Sequence, residues 1–312
     1  MTLLALHDLT KTYPGPAGRA VQAVAGVSVT LAEGEVLGVV GESGCGKSTL
    51  GRTLLRLIEP TGGRILFDGQ DITRATGRAL KAVRRQMQVV FQDPFGSLNP
   101  RHKVGTILAE PLVVQGVGTT ASRRARVAEL LAMVGLPDDA AGRFPHEFSG
   151  GQRQRIAIAR ALALEPRLIV ADEAVSALDV SVQSQILNLI ADLRRRLNLA
   201  ILFISHDLSV IRHVSDRVAV MYLGRVVEIG PTEALIGTPR HPYTAALLSA
   251  IPRPGVARAA RTRLKGEVPD PANPPAGCAF HTRCPLAEAR CRTDRPTLRP
   301  VADRHEAACH LT

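Results

Sequence analysis

Aromatic side chains are scarce in this chain of 312 residues, which has no tryptophan and only 3% aromatic residues. Proteins that bind single-stranded nucleic acid use aromatic side chains as platforms on which bases stack. The sequence therefore disfavours that class, although the formal net charge of +11 would attract a polyanion. We expect no nucleic-acid partner and interpret the positive charge as a solvated, arginine-rich surface.

Long apolar runs are also missing. No stretch approaches the roughly 20 apolar residues that a membrane-spanning helix requires. Residues 1–8 lack the basic segment and following apolar run of a secretory signal. We expect a protein that stays in the cytosol, so that any role at the cytoplasmic face of the membrane, as a peripheral subunit, would require a partner.

Cysteine is rare, but it is clustered. Four of the five cysteines lie near the C-terminus, at Cys278, Cys284, Cys291 and Cys309. Disulfides are disfavoured in the cytosol, so metal ligation is the better interpretation. Four thiolates would suit a zinc ion, although the C-x-x-C pair of most zinc sites is absent.

Short apolar runs alternate with turns and helical stretches in the rest of the chain, and this alternation indicates an α/β fold. Two runs have the composition of strands buried on both faces of a parallel sheet, 168–171 and 200–204. Further strands are predicted at 27–31, 36–40 and 64–67, and helices at 47–58, 122–134 and 156–164. A helical insertion is expected over about 101–165.

The composition changes beyond residue 250. Prolines interrupt an arginine-rich stretch without periodicity, and the cysteines follow it. We predict a nucleotide-binding domain over 1–250, a linker over 251–275 and a small Cys-rich metal-binding module over 276–312.

A phosphate-binding loop is predicted at 41–48, where GESGCGKS fits the pattern G-x-x-x-x-G-K-[ST] between an apolar strand and a helix. Its backbone N–H groups would surround phosphate oxygens at a helix N-terminus. Lys47 is expected to reach the β- and γ-phosphates, and Ser48 to bind Mg²⁺. The predicted nucleotide-binding residues of this segment are Gly41, Glu42, Ser43, Gly44, Cys45, Gly46, Lys47, Ser48 and Thr49.

Two carboxylates end the predicted strand at 168–171. Asp172 would join the Mg²⁺ shell, and Glu173 would polarise the attacking water. Such a pair is common at strand ends, but together with the phosphate loop it predicts an ATPase.

Further motifs follow in an order that resembles the ATP-binding cassette (ABC) family over about residues 1–250. Ser149-Gly150-Gly151-Gln152 is similar to the signature loop, which in the family contacts the nucleotide held by the opposite subunit. The resemblance implies a catalytic and Mg²⁺-sensing role for Gln92, a catalytic switch role for His206 and adenine stacking for Tyr13. It also implies a dimer-interface loop at Ser176, Ala177, Leu178 and Asp179. The implied fold is a P-loop NTPase of the ABC ATPase type, with an antiparallel β subdomain and a helical insertion.

His241-Pro242-Tyr243 resembles an element of the oligopeptide, dipeptide and nickel permease branch, and especially of its second ATPase subunit. Members of this branch can carry a 4Fe-4S cluster, so the resemblance implies such a cluster on the four C-terminal cysteines, with Zn²⁺ as the alternative. The implied partners are a second ATPase in a heterodimer, two transmembrane permease subunits that contact residues 93–115, and an extracytoplasmic substrate-binding protein.

The predicted function is therefore MgATP hydrolysis coupled to peptide import. The alternatives are the same role for nickel or another small solute, an ABC ATPase outside transport, a different P-loop enzyme such as a kinase, and a nucleic-acid-binding ATPase.

Overall fold

A computed structural model of the protein describes residues 1–15, 19–250 and 266–312. The chain divides into two compact units, each built from several segments. The first unit comprises Met1, Ala32–Glu35 and Arg74–Ile204, and the second comprises Thr2–Leu31, Val36–Thr73 and Ser205–Thr312. The predicted linker lies mostly outside the described residues, because 251–265 are not among them.

Parallel strands form the centre of the first unit. β6 (Met87–Val90) pairs with β7 (Leu168–Asp172), which pairs with β8 (Ala200–Ile204). Every residue of β7 and β8 is buried. Strands covered on both faces need apolar side chains at successive positions, which is why the sequence shows continuous runs here.

Helices surround these strands, and several carry clear capping residues. Thr119 and Ser122 form a reciprocal capping box at the start of α5. α7 (Val180–Leu197) is followed by Asn198, whose φ of 50° is the left-handed conformation common after helices. The helices of this unit are α2 (Gly77–Gln86), α3 (Pro94–Ser97), α4 (Val104–Gln115), α5 (Thr120–Met133), α6 (Gly150–Leu162) and α7 (Val180–Leu197), with short 3-10 helices at Asp138–Gly142 and Pro145–Glu147.

The second unit contains a four-stranded antiparallel sheet. The strand order is β2-β1-β4-β5, and Ala5 of β1 is opposite Leu66 of β4. The bounds are β1 (Thr2–Pro14), β2 (Ala20–Ala32), β4 (Gly62–Phe67) and β5 (Gln70–Asp71). This sheet confirms the antiparallel β subdomain that the resemblance implied.

A second sheet in this unit includes strands from the C-terminal segment. The strands, in spatial order, are β11 (Arg299–Ala302), β12 (His305–Ala307), β10 (Arg225–Pro231), β9 (Arg217–Tyr222) and β3 (Val36–Val40). β3 is parallel to β9, and the other neighbours are antiparallel. Because Glu228 of β10 is opposite Ala307 of β12, backbone pairing fixes the end of the chain on this sheet.

The helices of the second unit are short, and they are α1 (Lys47–Leu54), α8 (Leu208–Val214), α9 (Thr232–Gly237), α10 (Pro242–Ser249) and α11 (Arg290–Thr293). Within the described residues, no helix is both long and apolar enough to cross a bilayer. The predicted α/β class is confirmed. Each strand and helix expected from hydrophobic periodicity overlaps an observed one, but β2 begins seven residues before the strand predicted at 27–31, and α6 begins six residues before the helix predicted at 156–164.

Candidate functional site

The predicted phosphate loop lies between β3 and α1 and depends on glycine at two positions. Gly46 has a φ of 102°, and a Cβ there would lie 2.0 Å from the carbonyl oxygen of Ala23. Gly41 has a φ of 154°, and its Cβ would lie 2.2 Å from the carbonyl oxygen of Met221. Both the left-handed backbone and the close approach exclude other residues. The loop is therefore wrapped tightly against the chain beneath it.

Lys47 is buried at the first position of α1, with 4% of its surface exposed. Its ammonium group donates hydrogen bonds to the carbonyl oxygens of Gly41 (2.8 Å) and Glu42 (3.1 Å). A buried ammonium group needs such acceptors. Its position inside the loop suits an exchange of these carbonyl groups for phosphate oxygens.

Cys45 points into the loop interior, where 2% of it is exposed. Burial raises the pKa of its thiol, in opposition to the nearby Lys47. The thiol therefore stays protonated, as a small buried side chain inside the loop.

Glu42 connects the phosphate loop to the C-terminal part of the second unit. Its backbone N–H donates to the hydroxyl of Tyr243 over 2.9 Å. Its carboxylate accepts from both terminal nitrogens of Arg283, with Nη1–Oε2 at 2.6 Å and Nη2–Oε1 at 3.0 Å. This is a bidentate ion pair, the strongest geometry available to these two groups.

The aromatic rings beside this pair form a buried cluster. Tyr222 and Tyr243 have ring centroids 4.7 Å apart, and Phe280 lies 5.4 Å from Tyr222 and 5.3 Å from Tyr243. The guanidinium of Arg283 lies 6.0 Å from the Tyr222 ring centroid. Burial raises the pKa of Tyr243, so its hydroxyl remains a neutral acceptor for the loop.

A buried carboxylate ties the C-terminal strands to β10. Glu228 has no exposed surface and accepts from the backbone N–H groups of Arg240 (2.7 Å) and His241 (2.9 Å). Its Oε1 also lies 2.7 Å from Nε2 of His305, which is 1% exposed. Three partners satisfy a group that would otherwise be very costly to bury.

The two predicted catalytic carboxylates are in the first unit. Asp172 ends β7 and is 4% exposed. Glu173 follows with a φ of 50°, and its backbone N–H donates to the carbonyl of Ile204 over 3.0 Å. A left-handed conformation is uncommon for glutamate and is found at functional positions.

Gln92 and Glu173 are brought together across 81 positions of sequence. The side-chain amide of Gln92 donates to Oε2 of Glu173 over 3.0 Å. Gln92 therefore uses its donor end on the carboxylate, and its other end is an amide oxygen, a type of group that binds Mg²⁺ in proteins.

The predicted signature loop forms the start of α6. The hydroxyl of Ser149 accepts from the backbone N–H of Gln152 (3.3 Å), and the Gln152 side chain accepts from the backbone N–H of Ser149 (3.0 Å). These reciprocal bonds make a capping box. They fix the Gly150-Gly151 segment between them at the helix N-terminus.

The loop at 176–179 is adjacent to this helix start. A Cβ on Gly150 would lie 3.5 Å from the side chain of Leu178. Asp179 caps α7 by accepting from the backbone N–H of Val182 and the hydroxyl of Ser181, and these bonds lower the pKa of its carboxyl. The first unit thus brings the signature loop and the predicted interface loop together.

The remaining predicted nucleotide contacts are in the second unit. Tyr13 lies in β1, half-buried, with the ammonium of Lys11 5.0 Å from its ring centroid. His206 is exposed between β8 and α8. Their roles stay predictions.

Comparisons with known proteins agree with this arrangement. A family model described as "ABC transporter" matches residues 24–176, and one described as "Oligopeptide/dipeptide transporter, C-terminal region" matches residues 227–291. The oligopeptide transport ATP-binding protein AppF of Bacillus subtilis is 54% identical, over 99% of this chain and 97% of AppF. The chain belongs to the ABC transporter ATP-binding proteins.

Other relatives of this ABC ATPase are similar over their whole length. The di/tripeptide transport ATP-binding protein DppF of Pseudomonas aeruginosa is 49% identical, over 99% of this chain and 97% of DppF. Among solved structures, the post-hydrolysis dimer of the ATP-binding cassette MJ0796 bound to ADP and Pi has a TM-score of 0.66 at 30% identity. It covers 74% of this chain and 99% of MJ0796. The ABC ATPase fold and the use of MgATP are thereby established.

The prediction of a metal centre on the C-terminal cysteines of this ABC ATPase is wrong. Across residues 1–15, 19–250 and 266–312, no three His, Cys, Asp or Glu side chains are grouped so that they could hold a metal ion. Neither the iron–sulfur cluster nor the zinc alternative is supported. Burial raises the pKa of the thiols of Cys278, Cys284 and Cys309.

The reason for the error is that the C-terminal segment has other means of holding its shape. Backbone pairing joins β12 to β10, and the Glu228–His305 contact lies beneath that pairing. Cys291 and Cys309 are buried as small apolar residues. These contacts explain the fold of this segment without a bound metal ion.

Sequence reasoning also missed two residues that contact the phosphate loop, Arg283 and Tyr243. Arg283 is one of many arginines in the C-terminal part of the sequence. Tyr243 belongs to the His-Pro-Tyr element, which indicates a branch of the family but no contact with the loop. No local pattern links either residue to Glu42, which is more than 200 positions away.

Proposed function

We propose that this ABC ATPase powers an importer of oligopeptides or dipeptides through separate membrane subunits. The observation that carries the substrate class is the near-complete alignment with AppF, at 54% identity over 99% of the chain. The match of residues 227–291 to the oligopeptide/dipeptide transporter C-terminal region supports the same class. AppF and DppF carry transport of peptides in their names, and we extend that role to this chain.

In the second unit, Lys47 would bind the β- and γ-phosphates, and Ser48 would ligate the Mg²⁺ of MgATP. The buried ammonium of Lys47, already surrounded by oxygen acceptors, supports this role. Tyr13 would stack on adenine, and His206 would contact the γ-phosphate. The loop glycines allow the backbone N–H groups to approach the phosphates closely.

In the first unit, Asp172 and the Gln92 oxygen are the groups proposed to contact Mg²⁺, and Glu173 would orient the attacking water. The hydrogen bond from Gln92 to Glu173 supports a joint role for these two side chains. Because phosphoryl transfer needs little covalent chemistry from the protein, positioning of this kind supplies most of the catalysis.

Two such subunits would meet head to tail, each placing Ser149, Gly150, Gly151 and Gln152 against the nucleotide of the other. The capping box supports this role, because it fixes the helix N-terminus that would contact the γ-phosphate. The segment 176–179 would cross the dimer interface. The partner in this arrangement is a second, similar ATPase.

Residues 93–115 are the proposed contact with two permease subunits, on the cytoplasmic face of the membrane. This segment follows Gln92 directly and includes α4. A change at Gln92 would therefore be transmitted along a short path. An extracytoplasmic binding protein would deliver the peptide, which this subunit would never touch.

The test is solute uptake in cells of the source organism that lack the gene. Uptake of a radiolabelled tripeptide should be lost on deletion, restored by the wild-type chain and not restored by Glu173→Gln. The exposed Glu129→Gln substitution on α5 is the matched control and should restore uptake.

Radiolabelled nickel is measured in the same cells. Loss of nickel uptake with normal peptide uptake would overturn the peptide assignment and favour the nickel alternative. Normal uptake of both solutes in deleted cells would overturn the importer role.

A further inference from the structure

The acidic residue Glu42 poses an electrostatic problem for the phosphate loop. It occupies the second position of the loop, and its side chain is 27% exposed. A nucleotide brings several negative charges to the same loop. At the effective dielectric constant near a protein surface, about 20, an unpaired carboxylate within about 10 Å would oppose that binding substantially.

Arg283 neutralises this charge, and several contacts hold its side chain and backbone in place. Its guanidinium binds both oxygens of Glu42, and its side chain is 6% exposed. Nη1 is also 3.5 Å from the Tyr222 hydroxyl. The backbone N–H of Arg283 donates to the carbonyl of Phe280 over 3.0 Å, which ties the residue to the buried ring cluster.

The same cluster also holds the loop backbone. Tyr243 packs against Phe280 and accepts the N–H of Glu42. The side chain and the backbone of one loop residue are therefore both held by residues from the end of the chain. These two contacts are separate from the contacts with phosphate that the loop itself would make through its backbone N–H groups, Lys47 and Ser48.

We propose that Arg283 is a positioning residue for nucleotide binding: it neutralises Glu42 and holds the phosphate loop ready for ATP. The inference rests on the proposed ATP site at 41–48. It gives the C-terminal segment a function in the ATPase cycle, because displacement of Arg283 would leave a carboxylate unpaired beside the phosphates.

The test is a double-mutant cycle on the full-length protein, with the Kd for MgATP as the first readout. Arg283→Gln should weaken MgATP binding about tenfold or more, since it exposes the Glu42 charge. Glu42→Gln keeps the backbone N–H groups of the loop and removes the charge that opposes the phosphates, so it should bind MgATP more tightly than wild type. The double variant Arg283→Gln/Glu42→Gln should return to within about threefold of wild type, because the pair acts through charge.

Kinetics separate positioning from general damage. Arg283→Gln should raise KM for ATP by a factor similar to that for Kd, with kcat within about threefold of wild type. Arg283→Lys keeps the positive charge but loses the bidentate geometry. Its KM for ATP should therefore lie between those of wild type and Arg283→Gln. Arg304→Gln, on an exposed arginine that pairs with its neighbour Asp303, is the matched control.

The outcomes are distinct. A loss of affinity in Arg283→Gln that Glu42→Gln does not rescue, with a lowered unfolding midpoint, would assign Arg283 a structural role and overturn the proposal. If Arg283→Gln does not fold, the MgATP affinity of Glu42→Gln tests the proposal by itself. A tenfold loss of affinity in Glu42→Gln would overturn the proposal. Lys47→Ala tests the site itself: unchanged MgATP binding in that variant would refute the loop assignment. If Lys47→Ala loses MgATP binding while Arg283→Gln binds MgATP normally, only the role of Arg283 would be refuted.

Discussion

Gln92 donates a hydrogen bond to Glu173 over 3.0 Å, although 81 positions of sequence separate them. Glu173 is also held in a left-handed conformation with a φ of 50°. Two independent constraints thus act on one carboxylate, one through its backbone and one through its side chain. Such constraints fit a group whose orientation, more than its charge alone, determines the rate.

Replacing Glu173 with Gln should reduce ATP turnover by about a hundredfold to ten-thousandfold, since the amide cannot accept the water proton. MgATP binding should remain near the wild-type value because the phosphate contacts are elsewhere. Steady-state phosphate release and equilibrium nucleotide binding provide the two measurements. Turnover at the wild-type rate would refute the catalytic assignment.

Replacing Gln92 with Ala should lower kcat about tenfold or more, because it removes the donor that orients Glu173 and the oxygen expected to contact Mg²⁺. KM should change less than kcat. Gln88→Ala is a suitable control, since that amide bonds the Arg84 carbonyl nearby. Equal effects of the two substitutions would argue against a specific role for Gln92.

The buried Glu228–His305 contact makes a prediction about stability. Glu228→Ala should lower the free energy of unfolding by about 3 kcal/mol or more, since three donors would lose their acceptor. Denaturant titration measures this change. Glu306→Ala on the neighbouring position of β12 should have a small effect. A small effect of Glu228→Ala as well would mean that water replaces the lost acceptor.

His241 gives the protein a defined pH dependence. It is 2% exposed, and burial lowers its pKa from 6.5 to about 4. Below pH 6.5 the unfolded chain gains a proton that the folded protein does not accept until about pH 4. The free energy of unfolding should therefore fall by up to about 3 kcal/mol as the pH drops across this range.

His241→Asn isolates that contribution. His241 caps α10 by accepting the N–H of Tyr243 over 3.1 Å, and asparagine can accept the same bond without titrating. The variant should lose less stability than wild type between pH 6.5 and 4, as measured by denaturant titration at each pH. Parallel pH profiles for the two proteins would contradict a buried neutral His241.

The order of motifs along the chain was sufficient to predict the family and the local strands and helices. The phosphate loop, with Lys47 before an amphipathic stretch, predicts its own strand–loop–helix setting. The apolar runs at 168–171 and 200–204 predict buried parallel strands, and β7 and β8 confirm them. These features depend on residues close in sequence, where spacing directly specifies geometry.

Tertiary structure decided what spacing could not. Four clustered cysteines predicted a metal centre, but ligation requires convergence in space, and the described residues show no such group. The pairing of Arg283 with Glu42, and of His305 with Glu228, arises because β10 and β12 adjoin and the ring cluster packs beneath the loop. Sequence by itself determined which chemistry the chain carries. Only the folded chain determined which distant charges meet, because electrostatic contacts depend on distance through space, and side chains far apart in sequence have no fixed separation until the sheets form.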